Sequence, residues 1–145
     1  MDTTHTTAAT FTRKLVAELC GPEGGTIPVP VGLSYDSSDP YAATLAFHVG
    51  ERTVPWTFAR DLLDQGMREP AGDGDVHVWP GLSDHGLAVV SIELCSPDGD
   101  ALAELRSREV VAFIEHAHDL VGPGEESRHL DLDATIAAIL ADEVL

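Results

Sequence analysis

Trp56-Thr57-Phe58-Ala59-Arg60-Asp61-Leu62-Leu63-Asp64-Gln65-Gly66, continued by Pro70-Ala71-Gly72-Asp73-Gly74-Asp75-Val76-His77-Val78-Trp79-Pro80, is the stretch around which the rest of the chain is organised. Phe58, Ala59, Leu62 and Leu63 recur at three- and four-residue spacing and mark one apolar helix face, with Arg60, Asp61, Asp64 and Gln65 on the other. Thr57 is placed to cap that helix, and Gly66 to close it in the left-handed conformation. Arg60 and Asp64 stand one turn apart with opposite charge. Gly72, Gly74 and their aspartates then read as a turn, and residues 75–80 alternate as a half-buried strand does. The unit is helix, loop, strand.

Upstream, residues 11–20 alternate charged and apolar side chains, and the glycines at 21, 24 and 25 supply a turn, so a first strand is expected there. Residues 26–35 read as a second strand. Its Pro28 and Pro30 lie two apart and remove donors on the same side, which predicts an edge strand. A third strand spans 41–49, with a tight turn at 50–52 and a short strand at 53–56 leading into the helix. Downstream, strands are expected over 75–80, 86–95 and 100–106, the last two joined by Ser96-Pro97-Asp98-Gly99, a good type I turn. Ser107 is placed to cap a longer helix whose Val110, Val111, Phe113, Ile114, Ala117 and Val121 share a broad apolar face, ended by Gly122-Pro123. Asp131 or Asp133 caps a last helix carrying Leu132, Ile136, Ile139 and Leu140. The expected class is α+β: antiparallel strands in two halves, a helix after each, and C-terminal helices.

The chain has 145 residues, enough for one domain with its own core. Residues 1–10 are polar and threonine-rich and read as a flexible tail, leaving 11–145 as a single domain. With 25 acidic against 8 basic residues, the formal charge of -17 repels phosphate backbones and anionic head groups, and no basic cluster offsets it. Cys20 and Cys95 form no CxxC pair and follow no leader segment, which reads as a reduced, cytoplasmic protein whose thiols are small core hydrophobes. The apolar runs are too short for direct membrane insertion.

Enzymatic signatures are missing. There is no GxSxG elbow, GxxxxGK[ST] loop, GxGxxG or HExxH. His116 and His118 lie two apart on a helix and point about 200° apart, which excludes chelation of one ion. His77 and Trp79 share a strand face, with no third ligand predictable, and read as packing or recognition surface. Asp73 and Asp75 lack the downstream oxygens of a calcium loop. The acidic residues Glu125, Glu126, Asp131 and Asp133 read as helix-start carboxylates favoured by the helix dipole. No catalytic, cofactor-binding or metal-ligating residue is assigned, and an interaction module is favoured over an enzyme.

Four collinear blocks carry a resemblance. They are Leu33-Ser34-Tyr35-Asp36 with Asp39-Pro40-Tyr41-Ala42; Trp56 through Leu63 with Gly66; Pro70 and Gly72-Asp73-Gly74-Asp75-Val76 with Val78-Trp79-Pro80; and Ser96-Pro97-Asp98-Gly99. In these the chain resembles the SsgA-like proteins, regulators of sporulation-associated cell division in streptomycete-type actinobacteria. Pro123-Gly124-Glu125 and Leu130-Asp131-Leu132-Asp133 extend the likeness. The blocks around Arg60 and Trp79 look most like the SsgB branch. The resemblance implies a non-enzymatic protein without cofactor that helps place the septum, with FtsZ and other SsgA-like proteins as partners. It also implies a homotrimer of subunits with a whirly-like fold, similar to single-strand nucleic-acid-binding proteins, located at division septa.

Multivalent display by a trimer strengthens weak contacts to a filament. Arg60, Asp61 and Asp64 are accordingly the candidate partner-binding residues, the competing reading being internal salt bridges or trimer contacts. Trp56, Phe58, Leu62 and Trp79 are assigned to the core or the subunit interface. The alternative function is a single-stranded nucleic-acid-binding module, which needs a basic groove with stacking aromatics.

Overall fold

The computed structural model describes residues 9–129 and 139–140. Its strands are β1 (Thr10–Cys20), β2 (Thr26–Asp36), β3 (Ala42–Val49), β4 (Arg52–Ala59), β5 (Ala71–Asp73), β6 (Val76–Leu82), β7 (Ala88–Ser96) and β8 (Gly99–Arg106). Helix α1 (Arg60–Gly66) follows β4, α2 (Ser107–Leu120) follows β8, and Glu126–His129 form a 3-10 turn.

All strand pairings are antiparallel, in one eight-stranded sheet of order β4-β3-β2-β1-β8-β7-β6-β5. Two four-stranded meanders are therefore joined edge to edge through β1 and β8, and a helix follows each, as the sequence pattern predicts. The junction is narrow: β1 pairs with β2 from Thr10↔Asp36 to Cys20↔Thr26, but with β8 only at Glu18↔Glu104 and Leu19↔Ala103. Helix α1 leaves the first meander yet packs on β5 and β6 of the second, while α2 packs on β7 and β8. Both helices thus cover the same face of a curved, half-barrel sheet.

Strand alternation creates that face. Val31, Leu33 and Tyr35 of β2, Leu45 of β3, Val78 of β6, Val90 and Ile92 of β7 and Leu105 of β8 are all buried. Leu62 and Leu63 of α1 and Val110, Phe113, Ile114 and Ala117 of α2 close over them in one continuous core. Each Val, Leu, Ile or Phe among them contributes roughly 1.5–3 kcal/mol through removal of apolar surface from water.

Several local expectations are corrected. Thr57 lies within β4 and does not cap α1; it is paired with Thr44 of β3, and the two hydroxyls are 2.9 Å apart. Ala59 occupies the N-cap with no side-chain hydrogen bond. Ser107 is likewise the first residue of α2, after Arg106 at the cap position. Gly66 has no positive φ. A Cβ there would collide with Cγ1 of Val78, so glycine lets α1 approach β6. Strand β2 is not an edge strand. It pairs with β3 only over Val31–Ser34, however, so Pro28 and Pro30 occupy a part of β2 that has β1 alone as a neighbour. The Ala71–Asp73 segment, read as turn, pairs with Val76–Val78 as a short edge strand. Order already holds at Ala9, whose N–H donates to Ser37 Oγ at 2.8 Å. The rest of the expected tail and most of the last helix lie outside the described residues; Ile139 and Leu140 are helical.

Candidate interaction site

Arg60 opens α1 and is fully buried. A lone guanidinium there would be strongly disfavoured, and its surroundings supply acceptors. One terminal nitrogen donates to the Tyr35 hydroxyl at 3.1 Å, to the Val121 carbonyl at 2.7 Å and to the Ala117 carbonyl at 3.4 Å. The other donates to Glu126 Oε1 at 2.7 Å. Nε has no partner. Tyr35 donates in turn to the Pro40 carbonyl at 2.8 Å, and the backbone N–H of Gly124 donates to Glu126 at 3.0 Å. The cation also sits at the C-terminal end of α2, where the last carbonyls present partial negative charge. Burial alone would raise the Glu126 carboxyl, but backbone N–H groups at Gly124 and Glu126 and the Arg60 charge outweigh it, holding the group below its ordinary value. Burial pushes the Tyr35 hydroxyl up, against the opposing pull of Arg60.

Arg60 is therefore not available for partner contact in this subunit, and it does not pair with Asp64. Its ionic partner is Glu126, 66 residues away. The two halves of the chain are tied together there: Tyr35 and Arg60 come from the first, Ala117, Val121 and Glu126 from the second. Tyr35 stood out only as part of a resemblance block and Glu126 only as a helix-start carboxylate; neither was linked to Arg60, because that pairing is set by the tertiary fold.

The other two helix candidates are accessible. Asp61 is exposed, and Asp64 is half-buried between Arg68, at 3.9 Å, and Nε2 of His118, at 3.7 Å. The Arg68 pair is largely solvated and contributes little to stability. Gln65 and Glu69 extend this polar strip, hydrogen-bonded at 3.2 Å.

The aromatic candidates divide. Phe58 and Leu62 are core residues and Trp56 packs against the same core. Trp79 does not belong to it. It shares the opposite face of β6 with His77, half-buried and opposite Ser91 in the register. That open face also carries exposed Thr12 beside Ser34, their hydroxyls 2.9 Å apart, and exposed Val16 of β1.

A cleft of about 480 Å³ opens where β1 and β8 part company, lined by Lys14, Val16, Glu18, Glu104, Arg106 and Arg108 among others. Three of the chain's eight basic residues gather there, but carboxylates alternate with them and no Phe, Tyr or Trp lines the cleft. It lacks the stacking surface that a single strand requires. Burial, then neighbouring carboxylates, push both the Cys20 and the Cys95 thiol above the ordinary range. Among the described residues, no helix is long and apolar enough to cross a membrane.

Residues 29–126 match the family described as Streptomyces sporulation and cell division protein, SsgA. The chain is 51% identical over 117 residues to the sporulation-specific cell division protein SsgB of Streptomyces coelicolor, covering 80% of this chain and 85% of that protein. A solved structure from work on SsgB mutations that correlate to longitudinal cell division during sporulation of Streptomyces coelicolor superposes with a TM-score of 0.82. It is 44% identical, with 87% of this chain and 99% of that one covered. A crystal structure of an SsgA-like sporulation-specific cell division protein from Thermobifida fusca also gives 0.82, at 36% identity, with 92% and 98% covered. The antiparallel half-barrel with two helices is the architecture of these relatives, and the four sequence blocks lie within the shared region. The chain belongs to the SsgA family of sporulation and cell division proteins, with SsgB among its relatives.

Proposed function

We propose that this protein is a non-enzymatic regulator of sporulation-specific cell division that helps position the septum by recruiting FtsZ. The observation that carries this reading is the likeness to sporulation-specific cell division protein SsgB over 85% of that protein's length. The mixed-charge cleft is consistent with an adaptor that does not bind nucleic acid. In this reading the chain acts at division septa as a homotrimer of whirly-like subunits, together with other SsgA-like proteins. Each subunit then offers a weak contact that is multiplied along a filament. The contact face is the exposed strip of α1 centred on Asp61 and Asp64, while Arg60 holds that helix in place from below. Trp79 is assigned to a subunit interface, since it stands apart from the core.

The test is co-sedimentation with GTP-assembled FtsZ from the same source. The protein is expected in the pellet with filaments, and Asp61→Lys is expected to reduce pelleting while leaving thermal stability and oligomer size unchanged. A protein that stays in the supernatant with and without filaments overturns direct recruitment. Titration with a fluorescent oligonucleotide at low salt checks the single-strand-binding alternative; the net charge predicts no binding there.

A further inference from the structure

Three groups of unlike chemistry meet on the open face of the second meander. His77 of β6 stands directly opposite Glu93 of β7, and Cys95 lies two residues farther along β7 on the same side. Nδ1 of His77 is 3.4 Å from Oε1 of Glu93, and the imidazole nitrogen, carboxylate oxygen and sulfur all lie within 4.8 Å of one another. We propose that His77, Glu93 and Cys95 form a binding site for a thiophilic divalent cation of the Zn²⁺ type.

The distances fit that ion. Bonds of about 2.0–2.3 Å in a tetrahedron place neighbouring ligand atoms about 3.3–3.8 Å apart. The His77–Glu93 pair already has this spacing, and rotation of half-exposed side chains brings the sulfur into range. An ion reaches the site without unfolding, since the His77 side chain is 46% exposed and that of Glu93 39%. The neighbouring edge strand leaves room for the imidazole. Gly72 is paired with His77, and a Cβ on it would lie 2.5 Å from the ring. The ligand types select the metal: a hard cation such as Mg²⁺ or Ca²⁺ takes oxygen ligands, whereas a nitrogen, oxygen and sulfur set suits Zn²⁺.

The surrounding charge also favours a dication. Asp100 of β8 is paired with Cys95, and Glu93 and Asp75 also stand close enough to act on the sulfur, so carboxylates gather around it. A bound dication offsets those negative charges, and the thiol passes its proton to solvent as the thiolate–metal bond forms. Three protein ligands leave one tetrahedral position for water or for a group from a partner.

The experiment uses the full chain, treated with chelator, dialysed and kept reduced, and titrated with Co²⁺ and then Zn²⁺. One thiolate-to-Co²⁺ charge-transfer band per chain is expected, lost when Zn²⁺ displaces Co²⁺, together with a Zn²⁺-dependent rise in Tm. His77→Ala and Cys95→Ser are expected to weaken binding roughly tenfold or more, while Cys20→Ser leaves it unchanged. Glu93→Gln provides a third variant that keeps the side-chain volume. Absence of both the band and the Tm shift in the unaltered chain overturns the proposal, as does a band that survives in Cys95→Ser.

Discussion

Two clusters of charged and polar side chains, on opposite faces of one sheet, have opposite characters. On the helix-covered face, the Arg60 guanidinium is enclosed and makes hydrogen bonds to Tyr35, Ala117, Val121 and Glu126. On the open face, His77, Glu93 and Cys95 stand half-exposed, with a nitrogen, an oxygen and a sulfur atom within 4.8 Å of one another. The contrast shows what burial does to a charge. A buried cation has to be consumed by internal partners, because the interior does not otherwise tolerate it, and it then serves to fix the fold. Polar groups at the surface keep their capacity for something outside the chain. A charged residue in a distinctive block is therefore a poor guide to a binding surface until its depth is known.

The largest expected effect comes from opening the enclosed cluster. Arg60→Ala leaves Glu126 buried without its cation and is expected to lower unfolding stability by about 3–5 kcal/mol in a urea titration. Replacing Arg60 and Glu126 together by leucine and methionine is expected to cost less than the sum of the two single changes, as coupled partners do. Additive losses would show that the pair does not act as a unit, and the distinction between the two clusters would fail.

Gly66→Ala tests the packing beneath that cluster. The added methyl group has to share space with Val78, so a loss of about 1–3 kcal/mol is expected from the same titration. An unchanged midpoint would mean that α1 is free to lift away from β6.

A smaller effect concerns acid. The folded Glu126 carboxyl is held below its ordinary value, so its ionised form is favoured by folding. The stabilisation it gives is complete above the unfolded carboxyl's pKa and is lost as pH falls through the lower, folded one. Urea midpoints measured from neutral pH down to about 3 are expected to converge between the unaltered protein and Glu126→Gln as the medium becomes acid. A constant gap across that range would remove the linkage. Smallest of all is Asp61→Lys, expected to leave the urea midpoint where it was, because Asp61 is exposed and its side chain forms no hydrogen bond or ion pair among the described residues. A clear loss of stability would place Asp61 in the structural cluster with Arg60.

Much of the fold was legible in the sequence for local reasons. The alternation in β1 and β3, the turn residues at Gly50 and at Ser96-Pro97-Asp98-Gly99, and the helical apolar spacing of α2 each depend on neighbours a few positions apart. Errors arose where a local signal met a tertiary demand. Thr57 has the right chemistry for a cap, but its β-branched side chain is used in a cross-strand pair with Thr44. Gly66 has the right position for a left-handed terminus, but is required for close approach to Val78. Pro28 and Pro30 correctly signal a missing neighbour, though only for one end of a central strand. Of the candidate site, the exposed Asp61 was readable from helix phase, whereas the depth of Arg60 and the separation of Trp79 from the core were not.

The sequence by itself determined the periodicities, the two strands-then-helix halves, the acidic surface and, through four collinear blocks, the family. Those follow from backbone repeats and side-chain types, which act over a few residues. Only the tertiary structure decided that Arg60 meets Glu126 and that His77 meets Glu93 and Cys95. Such encounters depend on strand register and on how the sheet curves under its helices, and both are set by packing the whole core at once.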